Sequence, residues 1–196
     1  MAGVVQVAVA TIARFHSFDL AYQMQLHGAL DAIYTAYPRR ILRDTGVDPK
    51  RIRTFPWIQT PAVVLRRRRF IPHFAKCDLD WWAHQTFDRY LTCRLADCHV
   101  VSVLSGSGLT AGKAAQARGI AYVCDRGSSH IVYQDRILTE EYGSLGLPFD
   151  GVDPRIIEKE QREYEQADAI TVPSGFVHRS FLGEGVPESK LHRIPY

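Results

Sequence analysis

The chain has 196 residues, 46% of them apolar and 23% charged, which is enough apolar mass for one domain with a substantial core. A formal charge of +3 and a pI near 8.7 are only mildly basic and do not describe a dedicated nucleic-acid-binding face. The first apolar run, residues 4–10, has no Lys or Arg before it and is too short to span a bilayer, so neither a signal peptide nor a membrane helix is expected, and a cytoplasmic protein is.

That first run reads as a strand, and it leads through TIARFHSFD (11–19) into a helix over 17–30. AIYTAY (32–37) is the next strand. Residues 38–72 are rich in Pro and Arg and read as surface excursions, ending near the run Arg66, Arg67, Arg68 and Arg69. Such a run is usually solvated; its functional reading is peripheral contact with phosphate-bearing lipid or another polyanion. A helix over 80–96 follows, with the adjacent Trp81 and Trp82 pointing in different directions. Strand HVVSVLS (99–105), helix 110–118 and strand IAYVC (120–124) come next. Helices over 133–142 and 154–167, strand AITVP (169–173) and a short helix over 175–184 complete the pattern. Apolar strands separated by helix-length segments imply a parallel sheet with helices on both faces, the doubly wound, Rossmann-like α/β class.

Cys77, Cys93, Cys98 and Cys124 lack CxxC spacing and read as reduced thiols. A zinc site from Cys93, Cys98 and His99 meets the objection that a five-residue step splays two thiols around a helix.

Ligands of doubly wound sheets sit at the carboxyl ends of the strands. Two motifs lie there. GSGLTA (106–111) satisfies the GxGxxG/A fingerprint, with Asp125 at the end of the next strand, so an NAD(P)-binding oxidoreductase using Gly106, Ser107, Gly108 and Asp125 is one reading and a plain strand-to-helix turn the other. A Walker A site fails, because five residues separate the glycines and Ala114 stands where Ser or Thr must bind magnesium. The second motif is CDRGSSH (124–130), in which acid, base, hydroxyls and His130 crowd a strand end. It is no GxSxG elbow, and neighbouring Ser129 and His130 make a poor nucleophile and base pair.

ADAITVPSGFVHRSFLGEGVPESKLHRIPY (167–196) resembles the stretch of family 4 glycosyltransferases in which "AD" precedes a strand, a "PS" turn (here Ser174), a helix, a G-V-P-x-x-K turn and a hinge strand. VCDRGSSHIVYQDRILTEEY (123–142) is similar to the segment that carries the acceptor-side histidine in one branch of those enzymes. SGSGLTAGKAAQARG (105–119) and IYTAYPRR (33–40) fit the same branch. The resemblance covers almost the whole chain and implies the N-terminal, acceptor-side domain of a GT-B enzyme. A second half would bind the nucleotide-sugar donor, and the chain, reaching only the hinge at Tyr196, is expected to need that half in cis or as a partner chain. A non-catalytic partner subunit is the remaining reading. The resemblance further implies transfer to a glycan, lipid or small acceptor with retention of configuration, with no metal and no cofactor besides the donor as co-substrate. By it, His130 is the expected catalytic residue and Asp125, Arg126 and Ser129 shape the site. Gly106, Gly108 and Ser174 are expected to contact substrate. The first loop offers Arg14 and His16 to acceptor or donor phosphate.

Overall fold

The computed structural model of the chain describes residues 4–66 and 72–195. Seven strands form one sheet: β1 (Val7–Thr11), β2 (Leu30–Thr35), β3 (Ile52–Thr54), β4 (Val100–Leu104), β5 (Ala121–Asp125), β6 (Ala169–Val172) and β7 (Leu191–Arg193). Their order is β3-β2-β1-β4-β5-β6-β7, and every pairing is parallel. The direction of winding reverses between β1 and β4, which makes that boundary the topological switch point.

All five residues of β1 are buried, as befits a central strand covered on both faces. Alternate side chains then feed two cores. Val7, Val9, Leu30, Ile33 and Ile52 pack on one face with Phe18 and Ala21 of α1 (Ser17–Leu26). On the other, Ala8, Ala10, Val101, Val103, Tyr122 and Cys124 pack with Phe87 and Leu91 of α3 (His73–Arg94) and Ala111 and Ala115 of α4 (Leu109–Gln116). The same core takes in Ile131 of α5 (Ile131–Ser144), Tyr164 of α6 (Pro154–Gln166) and Phe181 of α7 (Gly175–Gly183). The doubly wound class expected from the sequence is the fold observed.

Several boundaries shift. The first helix ends at Leu26 instead of residue 30, because Gly28 at φ +69° turns the chain back into β2. Residues 38–72 hold more than excursions: they contain β3 and α2 (Gln59–Arg66). The three-residue strands β3 and β7 lie at the sheet edges, where Arg, Lys and His blunt the apolar signal. Trp82 is 60% exposed, whereas Trp81 is half-buried beneath the Arg155 guanidinium, 5.3 Å from the ring centre. The stretch Arg67–Arg69 lies outside the described residues.

Candidate functional site

β1 runs out at Thr11, whose hydroxyl donates to the Ala13 carbonyl at 2.5 Å and bends the chain into the loop before α1. His16 sits at the N-cap of that helix. Two strands away, β5 ends on Asp125, which stands opposite Leu104 of β4 and Thr171 of β6 in register. The His16 Nε2 and Asp125 Oδ2 atoms meet at 2.6 Å, and Asp125 Oδ1 accepts the Thr171 hydroxyl at 2.8 Å. Both oxygens of the acid are thereby committed, and the pair is largely shielded from water, with 15% and 7% of the two side chains exposed. With Nε2–H held by the carboxylate, the basic lone pair of the neutral imidazole falls on Nδ1. A histidine oriented by a buried acid is the arrangement that general-base catalysis needs.

The pair lines a cavity of about 600 Å³ on the α1-side face of the sheet. Leu20 and Met24 of α1 form one wall, and Ser102, Val123 and Thr171 form the floor. A concave, mostly apolar space with a few polar groups at one end suits a small organic ligand.

The other polar residues of the 124–130 cluster go elsewhere, for a reason rooted in strand geometry. Successive side chains leave a strand on opposite faces, so Asp125 points to the α1 side while Cys124 and Arg126 point to the α6 side. There Arg126 is buried, donating to Glu160 Oε2 at 2.6 Å, Ser105 Oγ at 3.0 Å, the Ser129 carbonyl at 3.0 Å and Gln134 Oε1 at 2.9 Å. Tyr164 donates to the same Glu160 oxygen at 2.5 Å. This network pins α6 to the end of β5. Arg126 and the Ser129 carbonyl are therefore tied into an internal clasp on the face opposite Asp125.

His130 differs most from expectation. It is 3% exposed, its ring lies 5.0 Å from those of both Tyr164 and Phe181, and its amide donates to Ser180 Oγ at 3.0 Å. Burial pushes its pKa down to about 4, so it is neutral near pH 7. Its Nδ1 has no hydrogen-bond partner among the described residues. The ring packs against both aromatic rings and lines a hollow with Glu184 and Lys190 that is distinct from the one beside His16 and Asp125, so the structure does not bring His130 to that pair.

Gly106 and Gly108 have internal partners. Their amides donate to the two oxygens of Glu163, at 2.5 and 2.8 Å. The next anion slot, the start of α4, is filled by Asp88, which accepts from the amides of Thr110 and Ala111 at 3.1 and 2.8 Å. Lys159 in turn pairs with Asp88 at 3.0 Å. The chain supplies its own carboxylates where a dinucleotide phosphate would sit, so the fingerprint loses its phosphate contacts. Its glycines serve packing: a Cβ on Gly108 would lie 2.6 Å from the Tyr122 hydroxyl oxygen, and one on Gly112 2.4 Å from the Tyr122 ring. Glu163 is pushed up to about 8 by burial, against the pull of Lys159 and of the two glycine amides.

Arg14 is exposed and reaches the Ile41 carbonyl at 3.4 Å; Ser174 is exposed and caps α7 by accepting from the Val177 amide at 3.3 Å. Of the residues expected at the site, His16 and Asp125 come together. Sequence reasoning does not find Thr171, Glu163 and Asp88, since strand order places the first beside its partner and helix packing on the sheet places the other two.

The parallel seven-stranded sheet with helices on both faces is a Rossmann-like domain whose fold matches that of GT-B half-domains. No protein-family profile matches the sequence and no curated protein matches it. Solved structures do match. A UDP-N-acetylglucosamine 2-epimerase shares the fold over 96% of this chain and 45% of its own, with a TM-score of 0.56 and 12% identity. Arabidopsis thaliana UGT89C1 complexed with quercetin matches over 99% and 52%, with a TM-score of 0.58 and 12% identity. A UDP-glucosyltransferase from Polygonum tinctorium capable of glucosylating indoxyl matches over 100% and 53%, with a TM-score of 0.50 and 13% identity. The chain spans about half the length of these proteins, and at such identities the likeness is one of fold.

Proposed function

We propose that the chain is the acceptor-side half of a GT-B glycosyltransferase that uses a nucleotide-sugar donor, and that His16, oriented by Asp125, is its general base. The observation that carries this reading is the 2.6 Å pairing of His16 with a buried carboxylate beside a cavity on the α1-side face of the sheet. The donor-binding half is supplied in cis or by a partner chain, and the donor is a co-substrate rather than a resident cofactor.

In the proposed step the acceptor hydroxyl gives its proton to His16 Nδ1 as its oxygen forms a bond to the sugar C1. The bond from C1 to the donor phosphate oxygen breaks, and the nucleoside diphosphate leaves with the electron pair. Asp125 holds the ring and stabilises the imidazolium that forms. A base acting on the incoming nucleophile serves a single displacement, with inversion at C1, as in inverting glycoside hydrolysis. The proposal thus keeps the GT-B half-domain implied by the family 4 resemblance but departs from its retention of configuration.

The test is the anomeric configuration of the product, read by proton NMR, when a polypeptide containing this chain and a donor-binding half is given UDP-sugars and hydroxylated acceptors. Inversion is expected. Retention would return the chemistry to the family 4 pattern, and epimerised sugar nucleotide formed without acceptor would replace transfer by epimerisation.

A further inference from the structure

Charge is distributed unevenly along the chain. Between residues 38 and 69 there are ten Arg and Lys against Asp44 and Asp48 alone, a net +8, so the rest of a chain whose total is +3 carries −5. Within the described residues of this segment, Arg39, Arg40, Arg43, Lys50 and Arg53 are all exposed along the β3 edge of the sheet.

The apolar surface of the same region is inverted relative to an ordinary surface helix. α2 turns Ala62, 1% exposed, toward the core and presents Pro61, Val64 and Leu65 to the outside, with Val64 54% and Leu65 39% exposed. Positions 61, 64 and 65 share one helical face. A helix in contact only with water puts polar residues there. Ile41, 47% exposed, joins Tyr37, Pro38, Val63 and Val64 around a hollow of about 700 Å³, and Trp57 just before α2 is 73% exposed. Among the described residues no helix is long and apolar enough to cross a membrane.

We propose that α2, Ile41 and Trp57, with the exposed Arg39, Arg40 and Arg43 that flank Ile41 in the chain, dock the protein peripherally on an anionic lipid bilayer. Aliphatic side chains and a tryptophan enter the interfacial region while the arginines meet lipid phosphates. A nucleic acid would satisfy the charge but leave Val64, Leu65 and Ile41 uncovered, and a neutral bilayer would leave the +8 segment unmatched. The contact of Arg14 with the Ile41 carbonyl joins this surface to the loop that carries His16. The proposal stands independently of the transfer reading.

Co-sedimentation of the full polypeptide with phosphatidylcholine vesicles, with and without about one third phosphatidylglycerol, tests it at low and at physiological salt. Binding is expected to the anionic vesicles only and to weaken with salt. Two exposed-residue variants, Val64→Glu with Leu65→Glu and Arg40→Glu with Arg43→Glu, are each expected to weaken it at least tenfold while leaving the circular dichroism melt unchanged. No binding to anionic vesicles would overturn the proposal, as would equal binding to both vesicle types. Binding that survives Val64→Glu with Leu65→Glu and is displaced by single-stranded DNA would assign the surface to nucleic acid instead.

Discussion

His16 and Asp125 are 109 residues apart in the chain and 2.6 Å apart in space, and they meet because β1 and β5 flank β4 at the point where the sheet reverses its winding. The imidazole comes from the loop after one strand and the carboxylate from the last residue of the other. Thr171 on the neighbouring strand fixes the acid from the far side.

This geometry makes Asp125→Asn informative. The amide keeps the shape of the carboxylate but no longer demands an N–H from His16, so the tautomer with the hydrogen on Nε2 is no longer enforced. Transfer is expected to fall roughly a thousandfold to ten-thousandfold with little change in stability. Nitrogen-15 NMR of the imidazole checks the cause directly: the native protein should show the Nε2–H form and the variant a mixture.

Glu163→Ala leaves the amides of Gly106 and Gly108 buried without acceptors. A loss of about 2 to 6 kcal/mol is expected from urea unfolding, at one to three for each amide. The same internal cap predicts no saturable NADH or NADPH fluorescence response in the native chain, and tight binding of either would restore the dinucleotide reading.

Gly112→Ala tests whether the glycines serve packing. The added methyl would sit 2.4 Å from Tyr122 Cδ1, too close without movement of a fully buried ring. Overpacking of this kind is expected to cost about 1 to 3 kcal/mol in urea unfolding, whether or not any ligand is present.

His130 and Glu163 give stability opposite pH dependences. His130 has a folded pKa of about 4, below the 6.5 of an unfolded chain, so the unfolded state binds protons more readily between those values. Its contribution is intact above pH 6.5 and declines as pH falls toward 4, by about 3 kcal/mol at 1.36 per unit. Glu163 is held up near 8, so its contribution is intact below pH 4.5 and declines as pH rises toward 8. His130→Leu should flatten the acid limb of a stability profile measured by urea unfolding, and Glu163→Gln the neutral limb.

The α/β alternation was legible because central parallel strands are apolar throughout, and VAVAT, VVSVL and AYVCD announce themselves. β3 was not, since Ile52 is the one buried residue of a three-residue edge strand in an arginine-rich stretch. The crowd of polar residues from 124 to 130 was visible, but its division was not. Alternation along β5 sends Asp125 to one face and Arg126 to the other, and His130 then follows the turn into the core between Tyr164 and Phe181. Both members of the His16–Asp125 pair were singled out separately, yet nothing local links them. Their meeting depends on strand order, which no single segment encodes. The glycine fingerprint misled because internal carboxylates can occupy the same amides as a phosphate, and Glu163 lies 55 residues beyond Gly108.

The most direct test of the account is the rate of sugar transfer by His16→Gln in a polypeptide that includes a donor-binding half. Glutamine still donates a hydrogen bond to Asp125 but cannot take a proton. A loss of roughly a hundredfold to ten-thousandfold is expected, with an unchanged unfolding midpoint. A rate within about twofold of the native protein would contradict it, because no general base contributes so little.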